Sequence, residues 1–345
     1  MIKVGIIGAN GYTGGELARI IALHKEAELT LITSRQFAGQ RMDEVYPALK
    51  GGCNLIFEEY DADTAAAKAD FFFMALPHKL PMEFVPGLLE RGKKVVDLSA
   101  DFRFRNQAAY EAYYQPHVSA HLLEEAVYGL SEMFTDEIKK ASIIGNPGCF
   151  PTSILIPLLP LVKAGLVDPA TIIADSKSGV SGAGRTLSLK GHFCEANESI
   201  KAYSVASHRH TPEIEEVLSL SAGKEIMISF TPHLVPMTRG MLSTIYVNPA
   251  NGVTADDIYV AWRKTYAGRR FVRILDGAQV PDTAYVRNTN CCDIAVKQDQ
   301  RTGKLIIMSA IDNLLKGASG QAVQNMNIML GFDEGEGLAA FGMPV

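Results

Sequence analysis

Cysteine is scarce in this chain. Five residues, Cys53, Cys149, Cys194, Cys291 and Cys292, form an odd set without paired CxxC spacing, which excludes a disulfide framework and a zinc knuckle. Long apolar runs are missing as well. The longest, Ile154 to Val162, is broken by Pro157 and Pro160 and falls far short of the roughly 20 residues that a membrane span needs. An excess of positive charge is also absent, since 33 basic residues face 38 acidic ones for a net charge of -5. Nothing in that balance attracts phosphate backbones or anionic lipid. The apolar stretch from Met1 to Gly8 is too short for a signal peptide. We therefore expect no nucleic-acid partner, no membrane and a reducing cytosol.

What is present is a globular balance, with 47% apolar and 21% charged residues over 345 positions, enough for roughly two domains of about 150 residues. The first 148 residues alternate apolar strands with helical patterns: Ile2 to Ile7 then Glu16 to Leu23, Leu29 to Thr33, Phe71 to Leu76 then Met82 to Glu90, Lys94 to Leu98, and Ser142 to Gly145. Strand, helix, strand predicts α/β structure, a Rossmann-type doubly wound parallel sheet covered on both faces. Residues 149–312 change texture. Strand-like runs at Thr171 to Ser176, Glu225 to Thr231, Leu242 to Val247, Cys292 to Lys297 and Leu305 to Ile311 predict an α+β catalytic domain with a mixed sheet. A final amphipathic pattern predicts a helix over 313–330, ending before Gly331 and completing the first domain.

Between the first strand and the first helix stands Gly8-Ala9-Asn10-Gly11-Tyr12-Thr13-Gly14. Glycines there allow a tight turn and close backbone approach to a pyrophosphate, with free N–H groups at the helix start as the positive end. The spacing is GxxGxxG rather than GxGxxG, so a turn that merely needs glycine is the competing reading. After the second strand come Ser34 and Arg35 instead of a carboxylate. Arg35 can pair with a ribose 2'-phosphate and Ser34 can donate to it, which favours NADP(H) over NAD. A solvated surface charge is the alternative for Arg35.

Cys149 lies in Gly145-Asn146-Pro147-Gly148-Cys149-Phe150-Pro151, after a strand and before an apolar helical pattern. Amide groups at a helix start stabilise a thiolate, and can hold the oxyanion formed when it adds to a carbonyl. The other cysteines read as structural. Ser207-His208-Arg209-His210-Thr211-Pro212-Glu213 offers two imidazoles two residues apart. No further ligands follow at metal-binding spacing, so we expect no metal and read the pair as a proton donor and acceptor near Cys149. The small-residue loop from Lys177 through Ser178, Gly179 and Gly182 to Arg185 can touch cofactor or anionic substrate. Arg103, in Asp97-Leu98-Ser99-Ala100-Asp101-Phe102-Arg103, can clamp a phosphate or carboxylate.

Together GANGYTGGEL, GNPGCFPTS, KSGVSGAGR, HRHTPEI, PHLVPMTRG and DNLLKGASGQAVQNMN resemble the N-acetyl-gamma-glutamyl-phosphate reductases of arginine biosynthesis, over nearly the whole chain. The resemblance implies NADPH-dependent reduction of an acyl phosphate through a thioester, with Cys149 as nucleophile and His210 at the acid-base position. It implies that Asn313 lies near the nicotinamide, and that subunits associate as a homodimer or homotetramer. We expect substrate contacts from Arg103, Asn146, His208 and Glu213. Aspartate-semialdehyde dehydrogenases are the natural competitor, but their pattern has an Arg and a His where this chain has Leu234 and Met241. Readings from other classes are a non-catalytic NADP-sensing protein and a cysteine acyl hydrolase.

Overall fold

Six strands build the sheet of the unit that comprises Met1–Gly148 and Ala318–Leu338; the computed structural model describes residues 1–339, 341 and 342. They are β1 (Ile2–Ile7), β2 (Ala27–Thr33), β3 (Phe71–Met74), β4 (Lys94–Asp97), β5 (Val127–Tyr128) and β6 (Ile143–Gly145), in the order β2-β1-β3-β4-β6-β5. Every pairing is parallel. The composition explains this: Val4, Ile6, Phe71, Phe72, Phe73, Val95 and Val96 expose no surface, as strands covered on both faces require. Strands β2 and β3 flank β1 on opposite sides, so the strand order reverses there. The crevice outside the carboxyl ends of the strands at such a reversal is where open α/β sheets bind ligands.

The helix Gly320–Leu330 belongs to this unit and packs on the helix Tyr12–Ile21 and on β4. The expected single helix over 313–330 is corrected by the structure. Asp312 diverts the chain: one carboxylate oxygen accepts the N–H groups of Leu314 at 2.8 Å and Leu315 at 3.2 Å. The N–H of Gly317 then reaches back five residues to the Asp312 carbonyl at 3.0 Å. The result is a widened π turn over Leu315–Ser319 before the α-helix begins. Asn313 to Gly317 fall in the second unit.

That second unit, Cys149–Gly317 with the segment from Ala339, holds β7 (Val167–Gly179), β8 (Lys201–Ala202), β9 (Ser229–Val235), β10 (Met241–Pro249), β11 (Val272–Ile274), β12 (Cys292–Gln298) and β13 (Leu305–Ile311). Their order is β11-β12-β13-β10-β7-β9-β8. Pairs β7/β9 and β11/β12 are parallel and the rest antiparallel, so the sheet is mixed. The strand expected over Glu225 to Thr231 starts later, at Ser229. Ile226 and Ile228 donate instead to the Ser219 hydroxyl and the Glu215 carboxylate of the preceding helix, Thr211–Ala222, at 2.9 Å each.

One face of this sheet carries the helix Cys149–Lys163, which packs on β7, β10 and β13. Pro157 and Pro160 lie inside it. A proline removes one N–H and frees the carbonyl four residues earlier, so Pro160 frees that of Ile156. The hydroxyl of Tyr266 donates to that carbonyl. The carbonyl of Pro157 accepts the indole N–H of Trp262 at 2.9 Å. The phenol thereby supplies the donor that Pro160 withholds and the indole adds one to a neighbouring carbonyl, and the helix runs unbroken.

Candidate functional site

The glycine loop is built from β1. Gly8 has φ +87°, and a Cβ on it would stand 2.6 Å from the Ala75 carbonyl oxygen. A Cβ on Gly14 would stand 2.5 Å from Cα of Ala9. Both glycines are demanded by the protein's own packing. Gly11 differs: no atom lies within 4 Å of its Cβ position among the described residues. It precedes the helix Tyr12–Ile21, whose first turn has neither a side-chain cap nor an acidic residue. Helix N–H groups facing open space suit a phosphate. The Tyr46 hydroxyl contacts the carbonyls of Asn10 and Gly11 at 2.8 Å each, and the Ser319 hydroxyl donates to that of Thr13 at 2.9 Å. Tyr12 stays exposed.

After β2, Ser34 is buried and its hydroxyl accepts the Phe37 N–H at 3.3 Å. Arg35 points into solvent. At the end of β4, Asp97 accepts the main-chain N–H of Ser99 at 2.9 Å and its hydroxyl at 2.7 Å. Burial, then the neighbouring Asp101 charge, pushes the Asp97 carboxyl well above the usual carboxylate range. Arg103 is 8% exposed; its Nε donates to the Asn146 carbonyl at 2.7 Å and its Nη2 to that of Leu98 at 2.8 Å. These bonds tie the guanidinium to the ends of two segments, Leu98 after β4 and Asn146 after β6. Asn146 spends both ends of its amide on the protein, donating to the Ala318 carbonyl and accepting from Asn325, at 3.1 Å each.

Cys149 is the first residue of its helix and is half-buried. Phe150, next along, packs edge-on against His208 at 5.4 Å and against His210 at 5.9 Å between centroids. The two imidazoles are 4.9 Å apart, and Tyr203 and Phe230 each lie 5.5 Å from His208. Burial in this ring cage, then the charge of Arg209, pushes the His208 imidazole down to about 4. His208 is thus neutral at pH 7. Its Nδ1 accepts the main-chain N–H of His210 at 3.1 Å, which leaves the proton on Nε2. Glu213, in the first turn of the helix that His210 precedes, is 1% exposed.

Ser178 and Gly179 are the last residues of β7, so the loop expected from Lys177 begins only at Val180, and this strand end meets the loop before β10. Gly179 donates to the Gly240 carbonyl at 2.9 Å, and a Cβ on Gly179 would stand 2.8 Å from the Thr238 carbonyl oxygen. Asn313 bridges them, accepting from the Gly240 N–H at 2.8 Å and donating to the Ser181 hydroxyl at 2.9 Å. The structure thus brings Ser178, Gly179 and Asn313 together in one region, and Cys149, His208 and His210 in another.

Two residues escaped the reading of the sequence. Tyr46 braces the glycine loop from 35 positions away. Tyr203 packs on His208, and its phenol is pushed up by burial and then by the charge of Cys149. Neither carries a local motif, so no signal in the sequence marks them. Arg273 holds the buried Asp293 carboxylate at 2.6 and 2.9 Å.

Residues 3–141 match the family described as semialdehyde dehydrogenase, NAD binding domain, and residues 149–313 the family described as semialdehyde dehydrogenase, dimerisation domain. Among solved structures, the chain is similar to an aspartate semialdehyde dehydrogenase II from Vibrio cholerae complexed with ASA, with a TM-score of 0.72 and 17% identity over 96% of this chain and 98% of that one. It is also similar to an aspartate semialdehyde dehydrogenase with NADP from Candida albicans, with a TM-score of 0.72 and 16% identity over 96% and 98%. At that identity the likeness establishes the fold. Sequence relatives are much nearer. An N-acetyl-gamma-glutamyl-phosphate reductase from Syntrophobacter fumaroxidans is 55% identical over 98% of each chain, and one from Desulforapulum autotrophicum is 53% identical over 99% of each. The chain therefore belongs to the N-acetyl-gamma-glutamyl-phosphate reductase family.

Proposed function

We propose that the chain reduces N-acetylglutamyl 5-phosphate to N-acetylglutamate 5-semialdehyde, with NADPH as reductant and inorganic phosphate as the second product. The observation that carries this reading is Cys149 at the first residue of a buried helix, beside the ring cage that holds His208 and His210.

The Cys149 thiolate attacks the acyl carbon; a C–S bond forms, the C–O bond to phosphate breaks, and a thioester remains on the enzyme. Main-chain N–H groups at the helix start stabilise the thiolate and the oxyanion of the addition step. The Gly8–Gly14 loop would hold NADPH, whose chemistry there would be hydride donation to the thioester carbon. His210 takes the thiol proton at the start, and later stabilises the departing sulfur as the C–S bond of the thiohemiacetal breaks to release the aldehyde. His208 stays neutral, and through its Nδ1 it orients the main chain of His210. Arg103 attracts the phosphate group, and the open space over Gly11 admits the cofactor pyrophosphate. Arg35 selects the 2'-phosphate, hence NADP(H), in the manner of a guanidinium on a phosphate.

A test is phosphate-dependent reduction of NADP with N-acetylglutamate semialdehyde and aspartate semialdehyde in parallel. Turnover is expected with the first, loss of turnover in Cys149→Ala, and unchanged NADPH binding in that variant. Turnover retained without the thiol refutes the covalent step, and preference for the second aldehyde reassigns the substrate. A chain that binds NADP but turns over neither aldehyde is a sensor.

A second copy of this chain covers the outer face of the seven-stranded sheet in our reading. Ile173, Tyr246 and Ile306 stand in register across β7, β10 and β13, with Ile173 47% and Tyr246 37% exposed. An apolar row on central strands is more than an isolated domain leaves to water. Tyr246→Arg is expected to shift the sedimentation coefficient from oligomer to monomer; an unchanged coefficient moves the interface elsewhere.

A further inference from the structure

The second unit begins at Cys149 and its main segment ends at Gly317, and these two residues lie against each other. A Cβ built on Gly317 would stand 2.8 Å from Cβ and 3.3 Å from Cα of Cys149. Non-bonded carbons prefer roughly 3.5–4.0 Å. Gly317 is not among the glycines with positive φ, so conformational freedom does not explain it. The missing side chain does: the space is filled by the cysteine.

Neither neighbour can yield. Gly317 sits in the π turn, tied by its N–H to the Asp312 carbonyl. The Asp312 side chain is fully buried, and beyond Leu314 and Leu315 it also accepts the N–H of Asn288 at 2.8 Å. Lys316, beside Gly317, is fully buried with its Nζ 5.8 Å from the Phe271 ring centre. Ile311 Cδ1 closes in at 3.3 Å from the same Cβ position. On the other side, Cys149 opens a helix whose carbonyls are held by Trp262 and Tyr266. Single π turns of this kind concentrate at functional sites.

We infer that Gly317 is a positioning residue for the nucleophile: its lack of a side chain seats the Cys149 backbone and so sets the direction of Sγ. This rests on the reading of Cys149 as the attacking thiol. The test compares wild type, Cys149→Ala and Gly317→Ala as full chains. In Gly317→Ala, kcat is expected to fall on the order of 100-fold, the scale of a misplacement of about 1 Å, with the NADPH Kd within twofold of wild type. The iodoacetamide alkylation rate at Cys149 is expected to change across its whole pH profile, a readout that does not depend on turnover. A folded Gly317→Ala protein with wild-type kcat and a wild-type alkylation profile overturns the inference. Should Gly317→Ala fail to fold by circular dichroism, Asp312→Asn keeps the glycine and loosens its anchor; there a kcat lowered about tenfold at unchanged Kd supports the inference, and a wild-type kcat overturns it. If Cys149→Ala retains the turnover of wild type, it is the nucleophile assignment that fails, while the alkylation profile still decides the packing claim.

Discussion

The main-chain N–H of His210 donates to Nδ1 of His208 across 3.1 Å, and that bond separates the tasks of the two imidazoles. His208 has one nitrogen committed to a neighbour's backbone and sits among Phe150, Tyr203 and Phe230. It holds its proton state, and under the proposed mechanism proton exchange falls to His210.

This division has a pH signature. Burial depresses the His208 imidazole from its ordinary 6.5 to about 4, so the fold favours the neutral ring. The stability gained is complete above pH 6.5 and is lost progressively as pH falls from 6.5 to 4, where the unfolded chain alone takes up a proton. The stability difference between wild type and His208→Phe is expected to shrink over that window. In NMR titration the His208 ring should show no protonation step between pH 5.5 and 8; a step near 6.5 would remove the basis for its role.

Two glycines of one loop should fail in opposite ways. Gly14→Ala forces a methyl against the Ala9 backbone, and a backbone cannot give way, so thermal stability is expected to fall by several degrees. Gly11→Ala meets no protein atom and costs about 1 kcal/mol or less as a helix-cap change. A methyl there occupies the room proposed for the pyrophosphate, so NADPH affinity is expected to drop at least tenfold in a stable protein. Calorimetry and fluorescence titration of both variants check the contrast.

Cofactor choice is expected to rest on Arg35, which is exposed and available. A charge-assisted hydrogen bond contributes about 1.5–3 kcal/mol, so Arg35→Ala should raise the NADPH KM by roughly ten- to a hundredfold and leave the NADH KM unchanged. Equal effects on both cofactors would return Arg35 to the solvated surface.

Tyr266→Phe should destabilise by about 1–3 kcal/mol, the cost of leaving the buried Ile156 carbonyl without a donor. Pro160→Ala restores the missing N–H to that carbonyl. The double variant is therefore expected to recover most of the loss in urea unfolding, and failure to recover would show that Tyr266 acts through packing.

How much of this was legible depended on the range of the interaction. The strand-loop-helix run from Ile2 to Ile21 could be read because each step is local: an apolar strand, glycines, then an amphipathic pattern. Cys149 was legible for the same reason, standing at the start of a helical run. The π turn was not, because its cause is the Asp312 side chain accepting two main-chain N–H groups, and nothing in helical periodicity marks a carboxylate about to do so. The late start of β9 depends on Ser219 and Glu215 capturing amides from the preceding helix. Tyr46 and Tyr203 work at long range, and only folding brings them to their partners. Asn313 was assigned through family resemblance, and the structure shows its amide tying two loops together.

The helix that opens with Cys149 has its middle carbonyls fastened by an indole and a phenol. Negative charge arriving at the sulfur is met by main-chain dipoles already in place, and these belong to no single side chain. Point substitutions around the sulfur can tilt it, crowd it or dry it, but only a change to proline can remove a main-chain donor. The surrounding walls can thus vary for different acyl groups while the proposed nucleophile keeps its electrostatic support.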